Sequence, residues 1–155
     1  MNILPRRLLL AASAIAAVAG RTARAGAGPA ETMQKYAVAL QTNNLDALVA
    51  LFADNGVYVR PDFPSAAGRA ALSAAYKEVF ATLKVNVRFD IKEVEIEGDM
   101  AWLRSESSGK VKVLKTGVET DDRYHQLVVF HRESGAWKIR SYLYAPAAPS
   151  TPAKT

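Results

Sequence analysis

The pattern of apolar and polar residues predicts helices in the first half of the chain and strands in the second half. Apolar residues recur at helical spacing over residues 31–41, over residues 45–52 behind the N-cap residue Asn44, and over residues 69–83. From residue 85 onward, apolar and polar residues alternate, which is typical of strands with one buried face. The chain therefore divides into three helices followed by a sheet.

Two interruptions of this pattern lead to local predictions. The polar residues 54–56 are predicted to end the second helix, which leaves a brief strand over residues 57–60. The alternation slips by one position at residues 92–93. A β-bulge there would keep Val94 and Ile96 on the buried face and would bend the strand.

The clearest pairing signal is a β-hairpin over residues 123–146. An apolar run over residues 127–130 is followed by Ser134 and Gly135 and then by an aromatic-rich segment. Because helices and strands are segregated along the chain, we expect an α+β fold with three N-terminal helices packed on a curved antiparallel sheet. A curved sheet wrapped around a helix tends to enclose a pocket.

The two ends of the chain are predicted to lie outside this domain. Arg6 and Arg7 precede an apolar run over residues 8–18, and Ala23-Arg24-Ala25 fits a cleavage site, so residues 1–25 resemble a signal peptide. We expect export to the periplasm or the medium by the twin-arginine or the general route. The run is too short for a transmembrane span, and cleavage would remove it. We therefore expect no stable membrane span in the mature protein. The domain then covers residues 26–145, and the Pro-rich tail 146–155 is predicted to be disordered.

Charge and composition exclude several classes of function. Cleavage after Ala25 would remove four arginines, leaving 16 basic against 15 acidic side chains, so the formal charge of +5 belongs mainly to the leader. A nucleic-acid partner is therefore not expected. The absence of cysteine excludes disulfides, thiol nucleophiles and iron–sulfur clusters. His125 and His131 lie too far apart on one strand to chelate together, and we expect no metal or other cofactor.

Four local motifs stand out in the predicted elements: Tyr36 in the first helix, NNLDALVALFADNGVYVRP at 43–61, GRAALSAAY at 68–76 and GAWKIRSYLY at 135–144. These motifs resemble the nuclear-transport-factor-2-like superfamily and, within it, the SnoaL-like domains. This resemblance implies a cone-shaped fold. It does not imply one reaction, because the superfamily includes ketosteroid isomerases, polyketide cyclases, dehydratases and non-catalytic binding or association domains.

Residues 35–61 resemble the corresponding segment of the ketosteroid isomerases without a gap. By this resemblance Tyr36 takes the place of the oxyanion-hole tyrosine, Arg60 that of the general-base aspartate before a proline, and Gln126 that of the protonated carboxylic acid. A guanidinium cannot accept a proton at a useful pH, and an amide is a weaker donor to an enolate than a tuned acid. We therefore predict that the steroid isomerase reaction is absent.

The remaining candidates lie on the predicted sheet and in the loop after Arg60. Asp62 is the only carboxylate near enough in sequence to replace the missing base, although an aspartate flanked by prolines usually serves a turn. Arg60 could meet an anionic group or pair with Asp62 in solvent. The aromatic candidates could equally be core residues. The predicted pocket comprises Tyr36, Arg60, Tyr124, Gln126, Tyr142 and Tyr144.

Three functions remain open, and the first is favoured. The domain could bind a small apolar or weakly acidic ligand without catalysis. It could be an isomerase, cyclase or dehydratase in which Tyr36 and Gln126 polarise a carbonyl and Asp62 moves the proton. It could also be a dimeric association module, which the mixed polar and apolar outer face of the predicted hairpin, with His125, Leu127, Val129 and His131, permits without requiring it. Whether the protein is an enzyme stays open from the sequence.

Overall fold

The structure, a computed structural model, describes residues 28–147. The predicted signal peptide and the tail from residue 148 lie outside this range. Within it, no helix is long and apolar enough to cross a membrane. The helices are α1 (Pro29–Gln41), α2 (Leu45–Val49) and α3 (Arg69–Thr82), and the strands are β1 (Phe52–Val59), β2 (Ala66–Ala67), β3 (Leu83–Glu97), β4 (Met100–Val113), β5 (Glu119–Glu133) and β6 (Ala136–Pro146).

The α+β prediction is confirmed, with one correction to the sheet. The strands lie in the order β2-β1-β6-β5-β4-β3, and β3 to β6 form an antiparallel meander, in agreement with the antiparallel sheet that the sequence predicts. However, β1 pairs with β6 in parallel, with Tyr58 opposite Tyr142, so the sheet is mixed. An alternating pattern reports which face of a strand is buried, and it contains no information about strand direction.

The region around residues 54–56 is a strand, where the end of a helix was predicted. Asn44 does cap α2, since its Oδ1 accepts a hydrogen bond from the Ala47 N–H at 3.1 Å. The helix ends at Val49, however, and the register of β1 against β6 shifts between Phe52 and Val57. The polar residues 54–56 therefore lie at an irregularity inside β1. The prediction was wrong here because a short apolar run fits helical and extended spacing equally well.

The predicted bulge in β3 is confirmed. Ile91 pairs with Ser105 and Glu93 with Arg104, which leaves Lys92 as the extra residue. The half-buried Val94 packs against the core, as expected if the bulge restores the alternation of buried and exposed residues. Ile96 does not follow, since it is 51% exposed.

The predicted hairpin forms between β5 and β6. Glu133 pairs with Ala136 across the turn residues Ser134 and Gly135, which have φ values of 49° and 81°. Two positive φ values in a two-residue connection match the right-handed twist of the strands. The hairpin extends slightly past the expected domain boundary, because Pro146 belongs to β6.

The core lies between the helices and the concave face of the sheet. Along β5 the burial alternates: Gln126, Val128 and Phe130 are buried, whereas Leu127 between them is 43% exposed. Side chains from every layer of the fold contribute to this core, including Met33, Tyr36, Leu48, Phe52, Leu72, Tyr76, Leu103, Val128, Phe130 and Ile139. The helices do not fill the whole concavity, and the remaining space is the candidate site.

Candidate ligand cavity

A cavity of about 190 Å³ lies between α1, the end of α3 and the concave face of the sheet. Most of its wall is apolar, from residues such as Leu40, Val85, Val87 and Phe89. Among the described residues, its lining contains no lysine, arginine or histidine. Its remaining lining residues are Tyr36, Tyr58, Val79, Leu83, Ser107, Val111, Thr120, Asp121, Asp122, Tyr124, Gln126, Tyr142 and Tyr144.

Aromatic rings form one contiguous group along this cavity. The group contains all six tyrosines of the sequence, Tyr36, Tyr58, Tyr76, Tyr124, Tyr142 and Tyr144. Tyr36 stacks on Tyr142 with ring centroids 4.9 Å apart, and Tyr124 meets Tyr144 edge to face at 5.2 Å. Rings of this kind offer a rigid apolar surface with hydroxyl groups at its edges.

The hydroxyl of Tyr36 is already held by protein partners. It lies 2.9 Å from the hydroxyl of Tyr76, and Tyr36 is only 2% exposed. Burial raises the pKa of Tyr36 well above its usual value, although hydrogen bonds from Tyr76 and Tyr142 oppose this shift. The side chain is therefore a neutral phenol, and a ligand oxygen would have to fit into the hydroxyl pair that Tyr36 already forms with Tyr76.

Four polar side chains cross β4 and β5 on the concave face, and we call them the polar row. They are Ser105, Gln126, Ser107 and Asp122. Ser105 donates to Gln126 Oε1 at 2.9 Å, Gln126 Nε2 donates to Ser107 Oγ at 2.9 Å, and Ser107 donates to Asp122 Oδ2 at 2.6 Å. Gln126 is 3% exposed, and these bonds satisfy both ends of its buried amide.

The direction of the polar row follows from the chemistry of Asp122. An ionised carboxylate can only accept, so the single Ser107 proton points to Asp122, and Ser107 must accept from the amide nitrogen of Gln126. Burial raises the pKa of Asp122, and the Ser107 hydrogen bond partly offsets this effect. The polar row thus ends in a half-buried carboxylate at the cavity wall.

Asp122 is not among the residues predicted from the sequence, although the spacing of residues on β5 contains a signal for it. Asp122, Tyr124 and Gln126 are spaced by two residues on β5 and therefore share one face. Extending the face of Gln126 by four residues would have found the carboxylate. Ser105 and Ser107 could not have been found in the same way, because their place opposite β5 depends on the register.

Of the predicted pocket residues, Arg60 is the one that the structure does not bring to the cavity lining. Its guanidinium lies 4.4 Å from the Phe63 ring centroid and 5.8 Å from that of Tyr58. It is ion-paired with Glu78 at 3.4 Å, so its partner is not Asp62. The other five, Tyr36, Tyr124, Gln126, Tyr142 and Tyr144, line the cavity together.

Asp62 lies in an exposed turn outside the cavity lining. Its φ of 62° is left-handed, and the Phe63 N–H donates to the Arg60 carbonyl across the turn at 3.4 Å. This conformation suits an aspartate that serves a turn. The structure does not place it where it could take a proton from a ligand in the cavity.

Candidate metal ligands do not converge within residues 28–147, where no group of three His, Asp or Glu side chains could hold an ion. His125 and His131 lie on the outer face of β5, near Glu106 and Glu133 at 3.7 and 3.9 Å.

The cavity itself offers apolar contact, ring faces, a few hydroxyls, one amide and a carboxylate. Such a set can bind and orient a small molecule, and Asp122 could exchange a proton with it.

The sequence matches the model of the SnoaL-like domain over residues 33–140. This match runs from α1 into β6 and contains the cavity residues named above except Tyr142 and Tyr144, which follow it on β6. No curated protein matches the chain significantly.

Solved structures with the same fold have names from several functional classes. A ketosteroid isomerase-like protein from Erwinia carotovora atroseptica is 29% identical with a TM-score of 0.72, covering 76% of this chain and 92% of that one. A candidate scytalone dehydratase from Novosphingobium aromaticivorans is 19% identical with a TM-score of 0.65, covering 77% and 81%. A candidate calcium/calmodulin-dependent protein kinase II association domain from Thiobacillus denitrificans is 16% identical with a TM-score of 0.64, covering 77% and 95%. The latter two likenesses concern the fold alone.

Proposed function

This chain belongs to the SnoaL-like domain family, and from that membership we propose that it binds a small, largely apolar ligand in the cavity without transforming it. The observation that carries the proposal is the cavity wall, where apolar and tyrosine surface surrounds a few polar groups at one side. Concave apolar sites with a small number of placed polar groups are typical of small-molecule binding.

The state of the candidate catalytic residues supports binding without catalysis. Arg60 stands where the isomerases have their base, and its charge is paired with Glu78 outside the cavity lining. Asp62 lies in an exposed turn. The hydroxyl of Tyr36 is shared with Tyr76, so an oxyanion would gain less from it than from a free donor.

Native mass spectrometry of the protein purified from its own host tests this proposal. We expect one small molecule per chain that is released on unfolding. Val111 lines the cavity, whereas the neighbouring half-buried Val113 on the same strand does not. Val111→Trp should abolish ligand retention, and the matched Val113→Trp should preserve it. Equal retention by both variants would place the ligand elsewhere.

Export is a separate part of the proposal, supported by the sequence pattern of residues 1–25. We expect a mature protein that begins at Gly26 and is found in the periplasm or the medium. The intact mass of the protein recovered from these fractions decides this. A chain that still begins at Met1 would contradict it.

An enzyme of the isomerase, cyclase or dehydratase kind is the second candidate, and Asp122 is the observation that favours it. A half-buried carboxylate with a raised pKa on a cavity wall is suited to proton transfer. The test is turnover of a β,γ-unsaturated ketone by the wild type, Arg60→Asp, Asp62→Asn and Asp122→Asn. We expect no wild-type turnover. Wild-type turnover that is lost only in Asp122→Asn would show that the protein is an enzyme with Asp122 as its base. Wild-type turnover that is lost in Asp62→Asn would instead identify Asp62 as the base.

Self-association through the outer sheet face stays a prediction. This face carries Met100, Leu127 and Leu143, which are 47%, 43% and 42% exposed. Sedimentation velocity of the wild type and of Leu127→Lys would test it. A wild-type dimer that Leu127→Lys dissociates would support the outer face as the interface, and a monomer at all concentrations would end the prediction.

A further inference from the structure

We infer that the ligand carries a hydrogen-bond-donating group, in its strongest-binding form a protonated amine, which meets the carboxylate of Asp122 while its apolar body lies against the tyrosines. This inference rests on the proposed binding function and specifies the class of ligand. It also replaces the weakly acidic ligand that the sequence led us to expect.

The polar row leads to an acceptor at the cavity. The Ser107 proton is directed to Asp122 Oδ2, and the Gln126 amide protons include one that is directed to Ser107. A carboxylate offers about four lone-pair sites, so one serine hydroxyl leaves most of its accepting capacity unused. A ligand group that donates can use this capacity, whereas a second carboxylate cannot.

The charges around the cavity favour the same polarity. Asp121 and Asp122 are the charged residues of the lining, and Asp121 is ion-paired with Lys110 at 2.5 Å. Asp122 instead has a neutral partner in Ser107. The positive charge of Arg60 lies outside the lining and is paired with Glu78. An anionic ligand would therefore meet like charge at Asp122, and a cation would meet opposite charge.

Two aromatic rings line the cavity together with this carboxylate. Tyr124 is two residues from Asp122 on the same face of β5 and meets Tyr144 with an interplanar angle of 75°. Approximately perpendicular rings present both a face and an edge to the space next to them. An ammonium group is attracted to ring faces, and a nearby carboxylate adds to that attraction.

The test compares three probes of matched shape, 2-phenylethylamine, 2-phenylethanol and 3-phenylpropionate, by isothermal titration calorimetry at neutral pH. We expect the amine to bind most tightly and the carboxylate most weakly. In Asp122→Asn, binding of the amine should weaken about tenfold, while binding of the alcohol should change by less than about threefold. Thermal unfolding of the variant verifies that it is folded.

Glu106→Gln serves as the charge-matched control. Glu106 lies on β4 between Ser105 and Ser107 with its carboxylate on the outer face beside Lys92 and His125, so it should leave all three affinities unchanged. Tighter binding of the carboxylate than of the amine, or an amine affinity that Asp122→Asn leaves intact, overturns this inference alone. If none of the three probes binds, the binding function fails as well.

Discussion

The two polar regions beside the cavity hold their charges in different ways. At the end of β1, the Arg60 guanidinium lies near the rings of Tyr58 and Phe63 and pairs with a glutamate whose side chain is 55% exposed. On β4 and β5, neutral hydroxyl and amide groups lead through buried bonds to one carboxylate. The first arrangement neutralises its charge locally, by pairing a largely buried arginine with an exposed glutamate. The second keeps a charge available at the cavity wall, and this is why we place recognition there.

Proximity in sequence is therefore a poor guide to the residues that line the cavity in this fold. Arg60 and Asp62 are neighbours along the chain, yet neither lines the cavity. Ser107 and Asp122 are separated by the whole β4–β5 turn, yet they share a hydrogen bond.

Replacing Gly109 with alanine should destabilise the β4–β5 region most. Gly109 pairs with Asp122 on one side and approaches β3 so closely that a Cβ atom would overlap the backbone carbonyl of Asn86. We expect Gly109→Ala to lower the free energy of unfolding by about 3 kcal/mol, measured by urea denaturation. Ser108→Ala is the control, with an expected change below about 0.5 kcal/mol. Equal losses in the two variants would mean that β3 and β4 can move apart at Gly109 without a measurable loss of stability.

Removing the central amide of the polar row should cost more stability than removing Arg60. Gln126→Leu leaves Ser105 and Ser107 without their buried partner, and we expect a loss of about 2 kcal/mol. Arg60→Met removes a cation–π contact and a partly exposed ion pair, with an expected loss of about 1 kcal/mol or less. Urea denaturation of both variants measures these losses. A larger loss of unfolding free energy in Arg60→Met than in Gln126→Leu would contradict this prediction.

The pH dependence of stability should report the charge of Asp122. Because its pKa is raised in the folded state, the folded protein binds this proton more tightly than the unfolded chain. The resulting stability is present at low pH and is lost as the pH rises through the folded pKa of Asp122. The free energy of unfolding of Asp122→Asn relative to wild type should therefore be higher at neutral pH than in acid. A constant difference between the two proteins would contradict the shift.

Most of the fold could be predicted because it depends on local patterns. The N-cap at Asn44, the bulge at Lys92 and the turn at Ser134 and Gly135 are each encoded by adjacent residues. The parallel pairing of β1 could not be predicted, because it joins strands from opposite ends of the domain. The extension of β1 back to Phe52 was also missed, because a short apolar run suits either structure.

The candidate site was predictable in its aromatic part and at Gln126, whereas the rest of the polar row was not. Tyr142 and Tyr144 alternate on one strand, so their common face is visible in the sequence. The polar row depends on which residue of β4 lies opposite which residue of β5. That register is set by turns and bulges along both strands, and an error of one residue would turn Ser105 and Ser107 to the outer face.

The most direct test of a ligand in the tyrosine-lined cavity is a titration of the ¹⁵N-labelled protein with 2-phenylethanol, followed by two-dimensional NMR. This neutral probe tests the cavity without involving the charge of Asp122. We predict saturable shifts at the amides of Val87, Ser107, Tyr124 and Tyr142, which line the cavity, with little change at Leu127 and Val129 on the outer face. Shifts confined to the outer face, or no saturable shift at all, would contradict the claim that the tyrosine-lined cavity binds a small, largely apolar ligand.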